Sequence, residues 1–201
     1  MIIKIERIKN MKGEEAMEGL YYTEDIRGNG DEIIKSLDNR EWSRVTEGEN
    51  SRRYQHYGFT YNYKRRRIEE VCEGIPEELQ PLRDHLTQIC KENGLIDDSY
   101  VFNQCIVNDY QPGQGIGKHT DIKAYGAVIG CYTFGSGATM IFRKGDQVES
   151  IYVKSNSLYM MSGPSRLEWT HEMPSRKSDV VNGKREIRGR RVSVTFRNVP
   201  M

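Results

Sequence analysis

His119-Thr120-Asp121 sets an imidazole and a carboxylate two residues apart, and on a strand with a side-chain period of two both leave the same face. His171, closing the run 167–171, offers a second imidazole from another strand. Two imidazoles and one carboxylate on one side of a metal, with the other positions open, form the facial triad of non-haem Fe(II) oxygenases. The open positions are the point of the arrangement: a co-substrate and O2 must bind side by side, which a closed four-ligand structural site forbids. The stretch Arg191-Val192-Ser193-Val194-Thr195-Phe196-Arg197 alternates strictly, with an apolar stripe on one face and Arg191, Ser193, Thr195 and Arg197 on the other. The two arginines stand about 20 Å apart along an extended strand. Reaching inward, they leave room for a five-carbon dicarboxylate, whose ends the planar guanidinium fork matches. Asn108 and Tyr110 also share a strand face and supply an amide and a phenol to orient the same ligand.

Such groups need a rigid frame. After Tyr100 the chain breaks into short runs rich in Val, Ile, Tyr and Phe, separated by Gly, Pro, Asn and Asp. The expected strands are 101–110, 118–121, 127–134, 139–143, 148–153, 157–162, 167–171 and 190–197, a density that predicts a double-sheet jelly roll. Upstream, Asn29-Gly30-Asp31 caps a short helix with Ile33, Ile34 and Leu37 on one face. Residues 57–63 read as a strand. Leu79, Leu82, Leu86, Ile89 and Cys90 have helical spacing between Pro76 in a first turn and Gly94 as a stop. His85 within that helix reads as a structural or surface histidine. No repeat or low-complexity linker divides the chain. The expectation is one domain over 1–201, with an N-terminal extension and lid over 1–100, helices and loops packed on a catalytic roll over 101–199.

The chain has 201 residues, and its 30 Lys and Arg against 29 Asp and Glu give a formal charge of +1. That near balance hides two basic blocks. Residues 51–67 carry six basic residues and no acid, interleaved with Tyr54, Tyr57, Phe59, Tyr61 and Tyr63, and 176–197 carry eight against Asp179 and Glu186. Cations with aromatics between them neutralise phosphates and stack on unpaired bases. A mean hydropathy of −0.74 with 12 Tyr and 5 Phe suits a folded domain with a wet surface. No apolar run approaches a membrane span, and Met1-Ile2-Ile3-Lys4 lacks the layout of a secretory signal. The expected location is intracellular, cytoplasmic or nuclear, with no membrane contact and no obligate protein partner. Cys72, Cys90, Cys105 and Cys131 show no metal or disulfide spacing and read as buried thiols.

Four ordered segments resemble the AlkB family of Fe(II)/2-oxoglutarate dioxygenases. The run from Asn108-Asp109-Tyr110-Gln111-Pro112-Gly113 to His119-Thr120-Asp121 is similar to the family's N-x-Y-x-P-G and H-x-D segment. Ser162-Gly163-Pro164-Ser165-Arg166 with Trp169-Thr170-His171 resembles the segment bearing the distal histidine, and the Arg191 to Arg197 run resembles the terminal R-x-(N/S)-x-T-F-R strand. Trp42 and Arg52-Arg53-Tyr54-Gln55-His56-Tyr57-Gly58 resemble the lid segment. The resemblance implies Fe(II) on His119, Asp121 and His171. It implies 2-oxoglutarate held by Asn108, Tyr110, Arg191, Ser193 and Arg197, the last also near Asp121, and substrate contacts from Arg53, Tyr54, Tyr57 and Arg166. The implied chemistry consumes O2, converts 2-oxoglutarate to succinate and oxidises a C–H bond of a modified base in RNA, including tRNA, or single-stranded DNA. The outcome is either oxidative demethylation of an N-methylated base or hydroxylation of a wobble-uridine side chain. Gln111-Pro112-Gly113-Gln114-Gly115-Ile116 and Trp169-Thr170-His171 are most similar to the branch acting on tRNA wobble uridine and to viral AlkB-like modules. A catalytically silent nucleic-acid-binding module, and the same chemistry on a protein or lipid, are the competing readings.

Overall fold

The structure, a computed structural model, describes residues 6–7, 17–26, 28–48 and 51–200. Met1 to Lys4, read above for a leader, lie outside the described residues. Strands β1 (Glu6–Arg7), β2 (Leu20–Thr23), β3 (Ser43–Arg44), β4 (Arg53–Tyr57), β5 (Phe59–Asn62) and β6 (Arg67–Val71) come first, with helices α1 (Gly30–Asp38) and α2 (Gln80–Glu92). Then follow β7 (Gln104–Tyr110), β8 (Ile116–His119), β9 (Ile129–Gly135), β10 (Ala138–Lys144), β11 (Gln147–Val153), β12 (Ser157–Met161) and α3 (Gly163–Leu167). The chain closes with β13 (Thr170–Met173), β14 (Ser178–Val181), β15 (Lys184–Ile187) and β16 (Arg191–Arg197).

The major sheet runs β1-β2-β12-β9-β16-β7-β4-β3 and the minor sheet β11-β10-β13-β8, both antiparallel. This is the expected jelly roll, or double-stranded β-helix. The major sheet separates two cores. Its outer face, with Val107, Tyr132, Phe134, Met160, Val192, Val194 and Phe196, packs on Ile33 and Leu37 of α1 and Leu82, Leu86 and Ile89 of α2. Its inner face, with Tyr110, Cys131, Tyr159 and Met161, meets Met140 and Phe142 of β10 and Trp169 and Met173. Asn29 caps α1 as read from the sequence, its side chain accepting from the Asp31 amide at 3.0 Å. His85 is buried, with Nδ1 3.0 Å from the Tyr132 hydroxyl, a structural role. All four cysteines are free; three are buried and Cys72 is half-exposed. Among the described residues no helix is long and apolar enough to cross a membrane.

Three expectations change. The first hundred residues are not only helices and loops on the roll, because β2, β4 and β3 extend the major sheet. The strand expected over 57–63 is broken at Gly58, whose φ of +79° is the left-handed region and where a Cβ would lie 1.9 Å from the Asn103 carbonyl oxygen. That turn swings the β5–β6 hairpin off the sheet and over the site. The strand expected over 167–171 is the helix α3 followed by β13, because Ser162 and Ser165 form a capping box with Pro164 in the first turn.

The β14–β15 hairpin, unread in the sequence, is anchored by a buried ion pair. Asp179 accepts from Arg188 Nη2 at 2.9 Å and from Arg176 Nε at 2.9 Å, and both Asp179 and Arg188 are buried. Burial works to raise the Asp179 pKa, but the hydrogen bond from Arg188, with help from Arg176, holds it down at about 2. The pair therefore contributes its stability in full above the ordinary carboxylate pKa and loses it as pH falls toward 2. Arg188→Ala is expected to cost about 3–5 kcal/mol in a urea melt at pH 7. The difference from the parent should narrow below about pH 3, where Asp179 takes up its proton.

Candidate functional site

Strand register brings the site together. His171 on β13 sits directly opposite His119 on β8, and the two ring centroids are 4.2 Å apart. Asp121 follows two residues beyond His119, and His171 Nε2 lies 3.5 Å from its Oδ2. One ligand atom from each of the three residues falls within 4.8 Å of the others. His119 Nδ1 is 2.8 Å from the Gly117 carbonyl oxygen, so it carries the proton and leaves Nε2 as a lone-pair donor. Burial pushes the His171 pKa down to about 3, with His119 adding to it, and burial likewise lowers His119. Burial works against charge on Asp121 too. The Arg197 guanidinium outweighs it, with help from the two imidazoles, and holds Asp121 well below the usual carboxylate range. A carboxylate and two neutral imidazoles are the donor set a divalent transition ion takes.

The sheet behind the triad supplies the second set. Pairing of β16 with β7 puts Arg191 opposite Tyr110 and Ser193 opposite Asn108, so all four share the inner face with Thr195 and Cys131. These residues and the triad line one inner chamber. Arg191 is buried, donates from Nη2 to Thr133 Oγ1 at 2.9 Å and lies over the Tyr110 ring at 5.5 Å. Its Nε has no hydrogen-bond partner among the described residues, nor has Nη1 of Arg197. A buried guanidinium nitrogen left unpaired is costly, and a carboxylate entering the chamber would satisfy it. Arg197 differs from the expectation of a matched clamp. Its Nε and Nη2 both lie 2.8 Å from Asp121 Oδ1, so it is first the counter-ion of that carboxylate.

Of the four residues expected to touch substrate, the structure brings one to the site. Tyr54 pairs with Asn108 across β4 and β7, which places it on the inner face beside His56. Arg53 has the opposite parity: it pairs with the buried Asp109, stacks on Trp42 at 4.9 Å and faces the helical layer. Tyr57 shares that parity, is 3% exposed and donates to Gln55. Arg166 is also buried, donating to the carbonyls of Asp121 at 3.0 Å and Ile122 at 2.6 Å. It fastens the 121–125 segment under the site.

In front of the triad opens a cleft of about 310 Å³, walled by Tyr61, Tyr63 and Tyr125 and edged by Arg52 and Arg66. Tyr54, His56 and Tyr63 cluster there, with centroids 4.5 Å apart for Tyr54–His56 and 5.1 Å for Tyr54–Tyr63. Burial, then Arg197, lowers the His56 pKa to about 4, so its ring is neutral. Arg52 lies over Tyr63 at 5.4 Å and donates from Nε to Asn108 Oδ1 at 3.1 Å, joining cleft to chamber. The sequence signal for Tyr61 and Tyr63 was their two-residue spacing within the basic block. Arg66 was counted in that block, but its place at the cleft depends on a turn.

Against family models, residues 27–197 match the 2OG-Fe(II) oxygenase superfamily. The chain belongs to that superfamily. Within it the likeness is to AlkB-type members. An uncharacterized protein of Acanthamoeba polyphaga mimivirus is 34% identical over 98% of this chain and 89% of its own length. The mouse tRNA (carboxymethyluridine(34)-5-O)-methyltransferase ALKBH8 is 28% identical over 95% of this chain. This oxygenase chain spans 32% of that mouse protein. The solved structure of OsALKBH1 shares the fold, with a TM-score of 0.66 at 16% identity, covering 89% of this chain and 96% of that one. As a 2OG-Fe(II) oxygenase the chain is a dioxygenase whose cofactors are Fe(II), 2-oxoglutarate and O2.

Proposed function

We propose that this oxygenase hydroxylates the carboxylate-bearing side chain of a modified uridine in single-stranded RNA. The carrying observation is the charge of the cleft. Three cations line it, Arg52, Arg66 and Arg197, against one carboxylate, Asp121, which Arg197 already neutralises. With no carboxylate on Arg52 or Arg66 among the described residues, two guanidinium groups beside aromatic walls suit a flat ring with an anionic substituent. A base methylated on a ring nitrogen and cationic for that reason is repelled instead. At about 5–6 Å and an effective dielectric of 20 each such charge contact is worth about 3 kcal/mol, less where water screens it. The mouse relative, whose name concerns carboxymethyluridine at tRNA position 34, supports the same substrate class.

In this reading His119, Asp121 and His171 hold Fe(II), and Arg191 grips the far carboxylate of 2-oxoglutarate, with Asn108, Tyr110 and Ser193 beside it. Bound there with O2, the metal supplies oxidation of a substrate C–H bond coupled to conversion of 2-oxoglutarate to succinate and CO2. The residues of the chain do the rest. Arg197 keeps Asp121 ionised, Gly117 fixes the His119 tautomer, and Arg166 holds the segment carrying Asp121. Tyr61, Tyr63 and Tyr125 exclude water and orient the ring, while Arg52 and Arg66 select the anion. Mass spectrometry of the product tests it. An oxygen gained on a carboxymethyluridine oligonucleotide is expected, and methyl loss from a 1-methyladenosine oligonucleotide at a comparable rate would overturn it.

A further inference from the structure

The tip of the β5–β6 hairpin carries four consecutive cations, Lys64, Arg65, Arg66 and Arg67, and the structure divides them. Arg65 Nη1 and Arg67 Nε lie 3.6 and 3.3 Å from the same Glu69 carboxylate, which Asn62 also meets at 3.1 Å. Lys64 and Arg66 have no carboxylate partner among the described residues. Each lines a different cavity. Arg66 edges the aromatic cleft, and Lys64 lines a second, open cavity of about 550 Å³ with Arg44, Val45, Thr46 and Glu47. Val45 lines both, so the cavities adjoin along one wall.

Arg66 takes this place at a cost. Its φ of +51° is in the left-handed region, which disfavours residues with a Cβ by about 1–2 kcal/mol and which glycine adopts freely. The turn is fixed in other ways, since Asn62 Oδ1 accepts from the Arg65 amide at 2.9 Å. An arginine kept where glycine would fold better, with no carboxylate partner among the described residues, suits a site that holds an anionic ligand.

We propose that the second cavity is a phosphodiester subsite. Resting on the reading of the cleft as a nucleotide site, Lys64 there and Arg66 at the cleft mouth hold phosphates flanking the oxidised nucleotide of a single-stranded polynucleotide. Lys64 serves as a mobile point charge, and the Thr46 hydroxyl and Arg44 line the same cavity. Glu47, the one acid among the described residues lining it, bounds the subsite and disfavours any occupant carrying more negative charge than the cations offset. The protein would then bind an oligonucleotide more tightly than the mononucleoside in its cleft, and part of that gain would be salt-dependent.

The test is fluorescence anisotropy of a fluorescein-labelled hexauridylate against salt, using the full chain loaded with Mn(II) and 2-oxoglutarate. Each single-strand phosphate contact contributes about −0.7 to the slope of log K against log salt. Lys64→Ala and Arg66→Gly are each expected to make that slope shallower by about 0.7, and the double variant by about 1.4. Arg66→Gly relieves the turn, so its melting temperature should hold or rise, which separates lost binding from lost folding. Arg67→Ala, whose guanidinium is engaged by Glu69, should change the slope by less than half as much. Steep salt dependence in the parent with unchanged slopes in both variants, or an equal change in Arg67→Ala, would overturn the subsite and leave the nucleic-acid reading standing. A parent that binds no hexauridylate at low salt would overturn both.

Discussion

Asp121→Asn is expected to abolish succinate formation while leaving the fold intact. Asn keeps an oxygen where Arg197 Nε and Nη2 now donate at 2.8 Å, so the contact persists in outline. What it loses is the charge. Groups standing behind a metal ligand are already worth about 10–100-fold in affinity or activity, so removing the only anionic ligand from the triad should exceed 100-fold. The variant also leaves Arg197 beside a neutral amide, which raises the positive charge facing any metal. Two readouts separate this from unfolding: the thermal melt, expected within a few degrees of the parent, and Mn(II) affinity by electron paramagnetic resonance, expected to fall with activity. Turnover within tenfold of the parent would contradict the assignment of Asp121.

Arg191→Ala is expected to raise the KM for 2-oxoglutarate by about two to three orders of magnitude, the factor that matches removing one partner of a buried ion pair. Arg191 is 4% exposed, fixed by Thr133 and Tyr110, lines the chamber, and its Nε has no hydrogen-bond partner among the described residues. Mn(II) affinity should stay near that of the parent, because Arg191 touches none of the triad. Arg191→Lys should fall between, keeping charge but not the two-pronged fork. An unchanged KM in the alanine variant would show that the dicarboxylate is held elsewhere, with Arg197 the obvious candidate.

How much of this the sequence disclosed follows from what is periodic. The face shared by Arg191, Ser193, Thr195 and Arg197 was legible because β16 alternates without interruption between an apolar core stripe and its opposite. Asn108 and Tyr110 followed for the same reason. His119 and Asp121 were legible as a pair, but their meeting with His171 depends on the β8–β13 register, which no local pattern states. At the lid the residues carried over from the resemblance do not all share the cleft face. Arg53 and Tyr57 sit one residue from Tyr54 and His56, and a single step along a strand moves a side chain from the cleft to the helical core. Arg166 was misread because its polar end is satisfied by three backbone carbonyls, contacts made only after the 121–125 segment folds over it. The nearness of Arg197 to Asp121, residues far apart in the chain, came from the family resemblance, since no local pattern states it. The position of Arg66 rests on a left-handed turn, which composition argues against.

If cleft charge selects the base, as proposed, two substrates of opposite charge should separate. The most direct measurement is a competition between two oligonucleotides identical except for one residue, carboxymethyluridine in one and 1-methyladenosine in the other, with Fe(II), 2-oxoglutarate and ascorbate. kcat/KM is expected to be higher by at least about tenfold for the anionic substrate, equivalent to about 1.4 kcal/mol, with a smaller ratio in Arg66→Gly. Equal rates, or preference for the methylated base, would contradict it.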